Sequence, residues 1–263
     1  MWLERFTEFD APPRYVEMAR AAGLQLAAAL LFVILVALGN ALLARADAPD
    51  RAREAFRSSW RGVVTLALGP PRAGVQIGHD GAGAHPDELG HLRGNTGGYA
   101  DGVDELTINR SVALALQTRL EAQGVTVDLL RATPPAGYHA DVVLSLHADS
   151  VDDPARRGYK SAHFKPPRSL LEPRLKRAVD HRYLEATGAA DDTPNTTEAM
   201  EEYYAFNFRA YRHTVHPATP ALLVELGYLS SPADAALLAQ PERLADALAE
   251  GVTDFLRVRN RIP

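Results

Sequence analysis

Four side chains in this chain stand where imidazoles and carboxylates are costly to bury, and together they outline metal-assisted hydrolysis. His79 follows the apolar run 75–78, His147 follows the apolar run 142–146, and Glu225 interrupts Leu222-Leu223-Val224-Glu225-Leu226-Gly227-Tyr228-Leu229. Glu105 opens a stretch in which Ile108, Val112, Leu116 and Leu120 recur every four residues. A buried carboxylate without partner or cation costs on the order of several kcal/mol. Two His and one Glu form an established catalytic zinc set that keeps one position open for water. A further carboxylate then takes the water proton and passes it to a leaving amine. Burial raises a carboxyl pKa, which suits such shuttling. Glu225, the deeper glutamate, is therefore read as the base, with His79, Glu105 and His147 as ligands. By spacing alone Asp104 is an alternative to Glu105, and His85 or His91 an alternative to His79. His139, His163, His181 and His216 have no supporting context. In the run 208–214, Arg212 and His213 are candidate substrate contacts.

Regular elements must carry these groups. The pattern predicts a strand at 75–77, a Gly-rich loop at 80–102 and a helix at 104–123 stopped by Gly124. Strands follow at 125–130, 141–146 and 158–164, a helix at 170–187, a strand at 221–226, and one or two closing helices within 232–257. Such alternation predicts an α/β fold, a mostly parallel sheet with helices on both faces. Sites in these sheets lie at the carboxyl ends of the strands, where His79, His147 and Glu225 project.

The chain has 263 residues, a formal net charge of −5 and no cysteine. That excludes disulfides and thiolate metal sites and gives no footprint for nucleic acid. Residues 21–44 carry no charge. As a helix they would span about 36 Å, enough to cross a bilayer. A cleavable signal peptide has a shorter apolar region and a basic start, whereas Glu4, Glu8, Asp10 and Glu17 precede this one. Small residues at Ala44, Ala46 and Ala48 leave cleavage as the rival reading. The expected organisation is a tail at 1–20, a transmembrane helix at 21–44, a juxtamembrane linker at 45–72 with a strand-like stretch at 62–69, and a catalytic domain at 73–258. Arg45, Arg51, Arg53, Arg57 and Arg61 follow the segment against three arginines before it. That bias alone points the domain toward the cytoplasm.

The motifs resemble the zinc-dependent N-acetylmuramoyl-L-alanine amidases, whose catalytic domain is called Amidase_3. Ile77-Gly78-His79-Asp80-Gly81-Ala82-Gly83 is similar to that family's Gly-His loop, and Gly102-Val103-Asp104-Glu105 to its Glu-opened helix. Leu129-Leu130-Arg131 loosely matches its Thr-Arg step, and Ser145-Leu146-His147-Ala148-Asp149-Ser150 its second histidine motif. Val224-Glu225-Leu226-Gly227-Tyr228-Leu229-Ser230 is similar to its last motif. Gln76-Ile77 stands where the family usually has Asp-Pro, and residues 193–216 match no family helix. The resemblance spans roughly residues 74–257. It implies zinc on His79, Glu105 and His147, a catalytic Glu225, and a six-stranded sheet. It also implies cleavage of the amide between N-acetylmuramic acid and L-alanine in peptidoglycan, hence a domain outside the cytoplasm, contrary to the arginine bias. A protein activator is allowed for without a candidate. A wall-binding module that does not turn over and a zinc peptidase on other peptides are the competing readings.

Overall fold

The computed structural model describes residues 69–100 and 102–262, together with Leu31, Ile34, Leu35, Leu38 and Gly39, which are helical. The rest of the expected membrane segment at 21–44, the tail at 1–20 and nearly all of the linker lie outside the described residues. Among the described residues no helix is long and apolar enough to cross a membrane. Residues 1–64 and 65–263 form separate units, and the sheet belongs to the second.

Its strands are β1 (Arg72–Ile77), β4 (Thr126–Leu130), β5 (Val142–Asp149), β6 (Lys160–Ala162) and β7 (Ala221–Tyr228), in the order β4-β1-β5-β7-β6. The first four in that order run parallel and β6 is antiparallel. Two further strands, β2 (Tyr99–Ala100) and β3 (Val103–Asp104), form a separate two-stranded ladder. The sheet therefore has five strands among the described residues, not six. The remaining strand candidate, at 62–69, falls outside them except for Gly69.

The helices are α1 (Glu105–Glu121), α2 (Glu172–Thr187), α3 (Glu198–Glu201), α4 (Pro232–Leu238) and α5 (Pro241–Val258). Asp104 caps α1, accepting from the Thr107 amide at 2.8 Å, which fixes the turn from which Glu105 projects. Val112, Leu116 and Leu120 of α1 are fully buried, as are Leu175 and Val179 of α2 and Leu248 and Val252 of α5. All belong to one apolar core that takes Val75 from β1, Leu144 and Leu146 from β5, and Val224 and Leu226 from β7.

Helices on both faces were expected; all three long helices lie on one. The reason is the connection between β4 and β5. Right-handed crossovers place α1, between β1 and β4, over one face and send the opposite crossover over the other. That second crossover, residues 131–141, contains no helix. Its Tyr138 and Ala140 instead join a smaller core with Val143, Leu223, Tyr203, Phe206 and Val215. The second face is thus covered by irregular chain from about residue 196 to 219, with α3 as a single turn. Arg168 anchors this cover. It donates to the carbonyls of Val215 at 3.1 Å and Thr219 at 3.0 Å while paired with Glu172 at 2.7 Å, both side chains being buried.

Candidate metal centre

Strand alternation decides which face holds the chemistry. On β5, residues 142, 144, 146 and 148 enter the helix-covered core, so Ser145 and His147 face the irregular cover. On β7, residues 222, 224 and 226 enter that same core, so Glu225 joins His147, and the two are direct register partners. The site lies at the carboxyl end of the parallel strands, on the face without long helices.

His79 lies just beyond β1 with φ of 66°, a left-handed conformation costly for a side chain other than glycine. This turn swings its ring toward Glu105. His79 Nε2 lies 3.2 Å and His147 Nδ1 3.0 Å from the same Glu105 oxygen. The two rings meet edge to face at 5.0 Å between centroids. Glu105 also accepts from the amides of Gly98 at 2.9 Å and Ala148 at 3.2 Å, and from Asn109 at 3.2 Å. Burial would raise the Glu105 carboxyl, but its bonds to His147 and His79 and their charges hold it well below the ordinary range. Two glycines admit this crowding. A Cβ on Gly78 would lie 2.6 Å from the His147 ring, and one on Gly97 would lie 2.7 Å from Glu105 Oε2.

These residues fit a metal ion. One ligand atom from each of His79, Glu105 and His147 lies within 4.8 Å of the others. His79 Nδ1 lies 3.0 Å from the Asn95 carbonyl, which can only accept. In the neutral ring Nδ1 therefore carries the proton, and Nε2 turns a lone pair toward a carboxylate. That pairing is repulsive unless a cation or a proton lies between. The same demand raises the His79 pKa: burial opposes it, and the bond to Glu105, its charge and the Asn95 carbonyl outweigh burial.

Glu225 is not one of the three. Its Oε2 is buried without a hydrogen-bond partner, although part of the residue faces the cleft. Burial, then the charges of Asp149 and Glu105, push its carboxyl well above the ordinary range, with Lys160 pulling the other way. Lys160 is Glu225's register partner on β6. Its buried ammonium donates to Asp149 at 2.6 Å and to the Tyr228 hydroxyl at 2.7 Å. His79, His147 and Glu225 line an open cavity of about 540 Å³, with Asn207 and Tyr211 among its walls.

The structure puts the alternatives in different places. Asp104 caps its helix, and Glu105 is the one that meets the two histidines. His85 bonds Thr133 at 2.6 Å, and His91 stacks on Tyr211. Both line the cavity, and neither joins the metal-capable group found among the described residues. His213, a candidate substrate contact, is instead tied to Glu88 at 2.7 Å, and Glu88 also takes the Arg212 amide at 3.0 Å. Sequence reasoning missed Asn109, Lys160, Gln76, Ser145 and Tyr203. A glutamine and a serine inside apolar strands were the available signals; Tyr203 had none beyond a tyrosine-rich stretch.

The chain matches the family described as N-acetylmuramoyl-L-alanine amidase over residues 75–254. It is 22% identical over 182 residues to the N-acetylmuramoyl-L-alanine amidase LytC of Bacillus subtilis, covering 64% of this chain and 34% of that protein. It thus spans about a third of that relative's length. Among solved structures, the N-acetylmuramyl-L-alanine amidase Ami1 of Mycobacterium smegmatis superposes with a TM-score of 0.54 at 20% identity, covering 72% of this chain and 97% of that one. AmiC2 of Nostoc punctiforme gives 0.52 at 21% identity, covering 71% and 97%. At these identities the structural likeness speaks for the fold.

Proposed function

The chain belongs to the N-acetylmuramoyl-L-alanine amidase family, and from that premise we propose that it hydrolyses the amide between N-acetylmuramic acid and L-alanine in peptidoglycan, using zinc. The observation that carries this reading is a buried, unpartnered carboxyl oxygen on Glu225 beside three convergent ligand groups at the mouth of an open cleft.

His79, Glu105 and His147 would hold the ion. Zinc bound there would make water a stronger acid, toward a pKa of about 7, and polarise the substrate carbonyl. Glu225 takes the proton of the attacking water at its carboxylate and returns it to the departing nitrogen of L-alanine. A carboxyl whose pKa is raised by enclosure releases that proton late, which suits delivery to an amine. The amides of Gly98 and Ala148 hold Glu105 in place, and the Asn95 carbonyl holds His79. The cleft walls at Asn207 and Tyr211 are available to the stem peptide.

The test is digestion of purified peptidoglycan by the full chain in detergent, followed by mass spectrometry. Free stem peptides beginning at L-alanine, lost with chelator and restored by zinc, are the expected products. Cuts inside the stem would replace this reading with a peptidase. An intact wall with zinc bound would replace it with a binding module. The same reading has residues 21–44 tether the domain outside the cytoplasm. Protease added to intact protoplasts should then remove the domain, and protection from it would reverse the orientation.

A further inference from the structure

The second histidine has a partner on its far side that the proposed chemistry does not use. His147 Nε2 lies 3.1 Å from the Tyr203 hydroxyl. Tyr203 is buried and comes from the irregular cover, outside every motif read in the sequence. Its hydroxyl lies 3.3 Å from each of three oxygens, Gln76 Oε1, Ser145 Oγ and Tyr204 Oη. The question is which way its single proton points, because that decides which nitrogen of His147 is free.

The network can be oriented from its fixed ends. Gln76 Nε2 donates to the Ala132 carbonyl at 2.5 Å. A carbonyl accepts only, so the amide is locked with Oε1 turned toward Ser145 and Tyr203. Ser145 commits its proton to that Oε1 in a short bond. Tyr204 commits its proton to the Ala132 carbonyl at 2.7 Å. If Tyr203 gave its proton to His147, its oxygen would face three oxygens with no hydrogen between them. If it donates to Gln76 Oε1 or Tyr204 Oη, one of the three contacts gains a proton, and Tyr203 keeps a lone pair for an N–H from the ring, so one more contact is satisfied than in the reverse arrangement.

We infer that Tyr203 is a positioning residue: anchored through Gln76 and Ser145, it holds His147 with the proton on Nε2 and presents Nδ1 to the metal. His79 is set by the opposite nitrogen, its Nδ1 held by the Asn95 carbonyl. Both rings thus turn a bare nitrogen toward Glu105, each locked from behind by a different part of the chain. Outer partners of this kind fix ring orientation and raise metal affinity. The inference rests on the metal-site reading above.

The experiment uses the full chain in detergent, zinc-loaded and labelled with nitrogen-15 in its histidines. The His147 ring should show a protonated Nε2 and a metal-shifted Nδ1. A metal-shifted Nε2 overturns the inference without any variant. Tyr203→Phe, which keeps the ring and removes the hydroxyl, should weaken zinc binding roughly 10- to 100-fold in competition with a chromogenic chelator. The His79 signals should stay in place, as general loosening of the fold would not allow. Unchanged affinity in a folded Tyr203→Phe protein sinks the tyrosine alone. Failure of the wild-type chain to bind zinc sinks the metal reading and the inference with it.

Discussion

The two faces of the sheet are built from the same strands, yet they differ in their polar content: the helix-covered face takes apolar residues of β5 and β7, and the other takes polar ones beside Val143 and Leu223. Toward α1, α2 and α5, β5 turns Val142, Leu144, Leu146 and Ala148, and β7 turns Leu222, Val224 and Leu226. Toward the irregular cover the same strands turn Ser145, His147 and Glu225, and β1 adds Gln76. Helices bond their own backbone and offer a continuous apolar stripe, so the strand face beneath them must be apolar. Irregular chain brings hydroxyls and carbonyls with spare bonding capacity, such as Tyr203, Tyr204 and Ala132, and polar strand residues can be satisfied there. The face without long helices is therefore where chemistry can be buried, and its imperfect cover leaves the cleft open.

Substitutions on opposite faces of the sheet should separate the two roles. On β5, His147→Ala should lose zinc by more than the roughly 10- to 100-fold typical of outer partners, read by metal content after dialysis. Full zinc occupancy in that variant would break the ligand assignment. On β7, Glu225→Gln should keep its zinc and slow turnover of peptidoglycan about 100- to 10,000-fold. Near-normal turnover would remove it as the proton carrier. Three positions earlier, Leu222→Ala on the helix-covered face should cost about 2–5 kcal/mol of stability, measured by denaturant unfolding, while zinc stoichiometry is kept. Loss of the metal there would mean that the faces are not separable. The smallest effect should come from Asp104→Ala, about 1 kcal/mol for a lost helix cap, with zinc affinity little changed. A large loss of zinc would return Asp104 to the ligand set in place of Glu105.

Much of the site was legible because its chemistry is written locally. Histidines just past apolar strand cores, a glutamate within one and another opening a helix each name their own position in a regular element. Parallel strands then gather their carboxyl ends. The choice of Glu105 over Asp104 was less legible, since adjacent residues at a helix start differ only in which is the cap. His85 and His91 stayed open as alternatives because the Gly-rich loop has no period, and only its folded path turns one imidazole toward Glu105 and the others to the cavity wall. The expectation of helices on both faces assumed that each crossover carries one, and residues 131–141 do not.

The sequence by itself determined the strand and helix order, the alternation that sets His147 and Glu225 on one face, and the donor types able to hold a metal. These follow from periodicity and residue chemistry, which act over a few neighbouring positions. Only the tertiary structure decided that His79 adopts a left-handed turn, that the second face has an irregular cover, and that Tyr203 stands behind His147. The last contact joins residues 56 positions apart, and Gln76 and Tyr203 lie 127 apart. A hydroxyl acquires a role at such range through the packing of a segment with no repeating pattern, and local composition does not encode where that packing puts it.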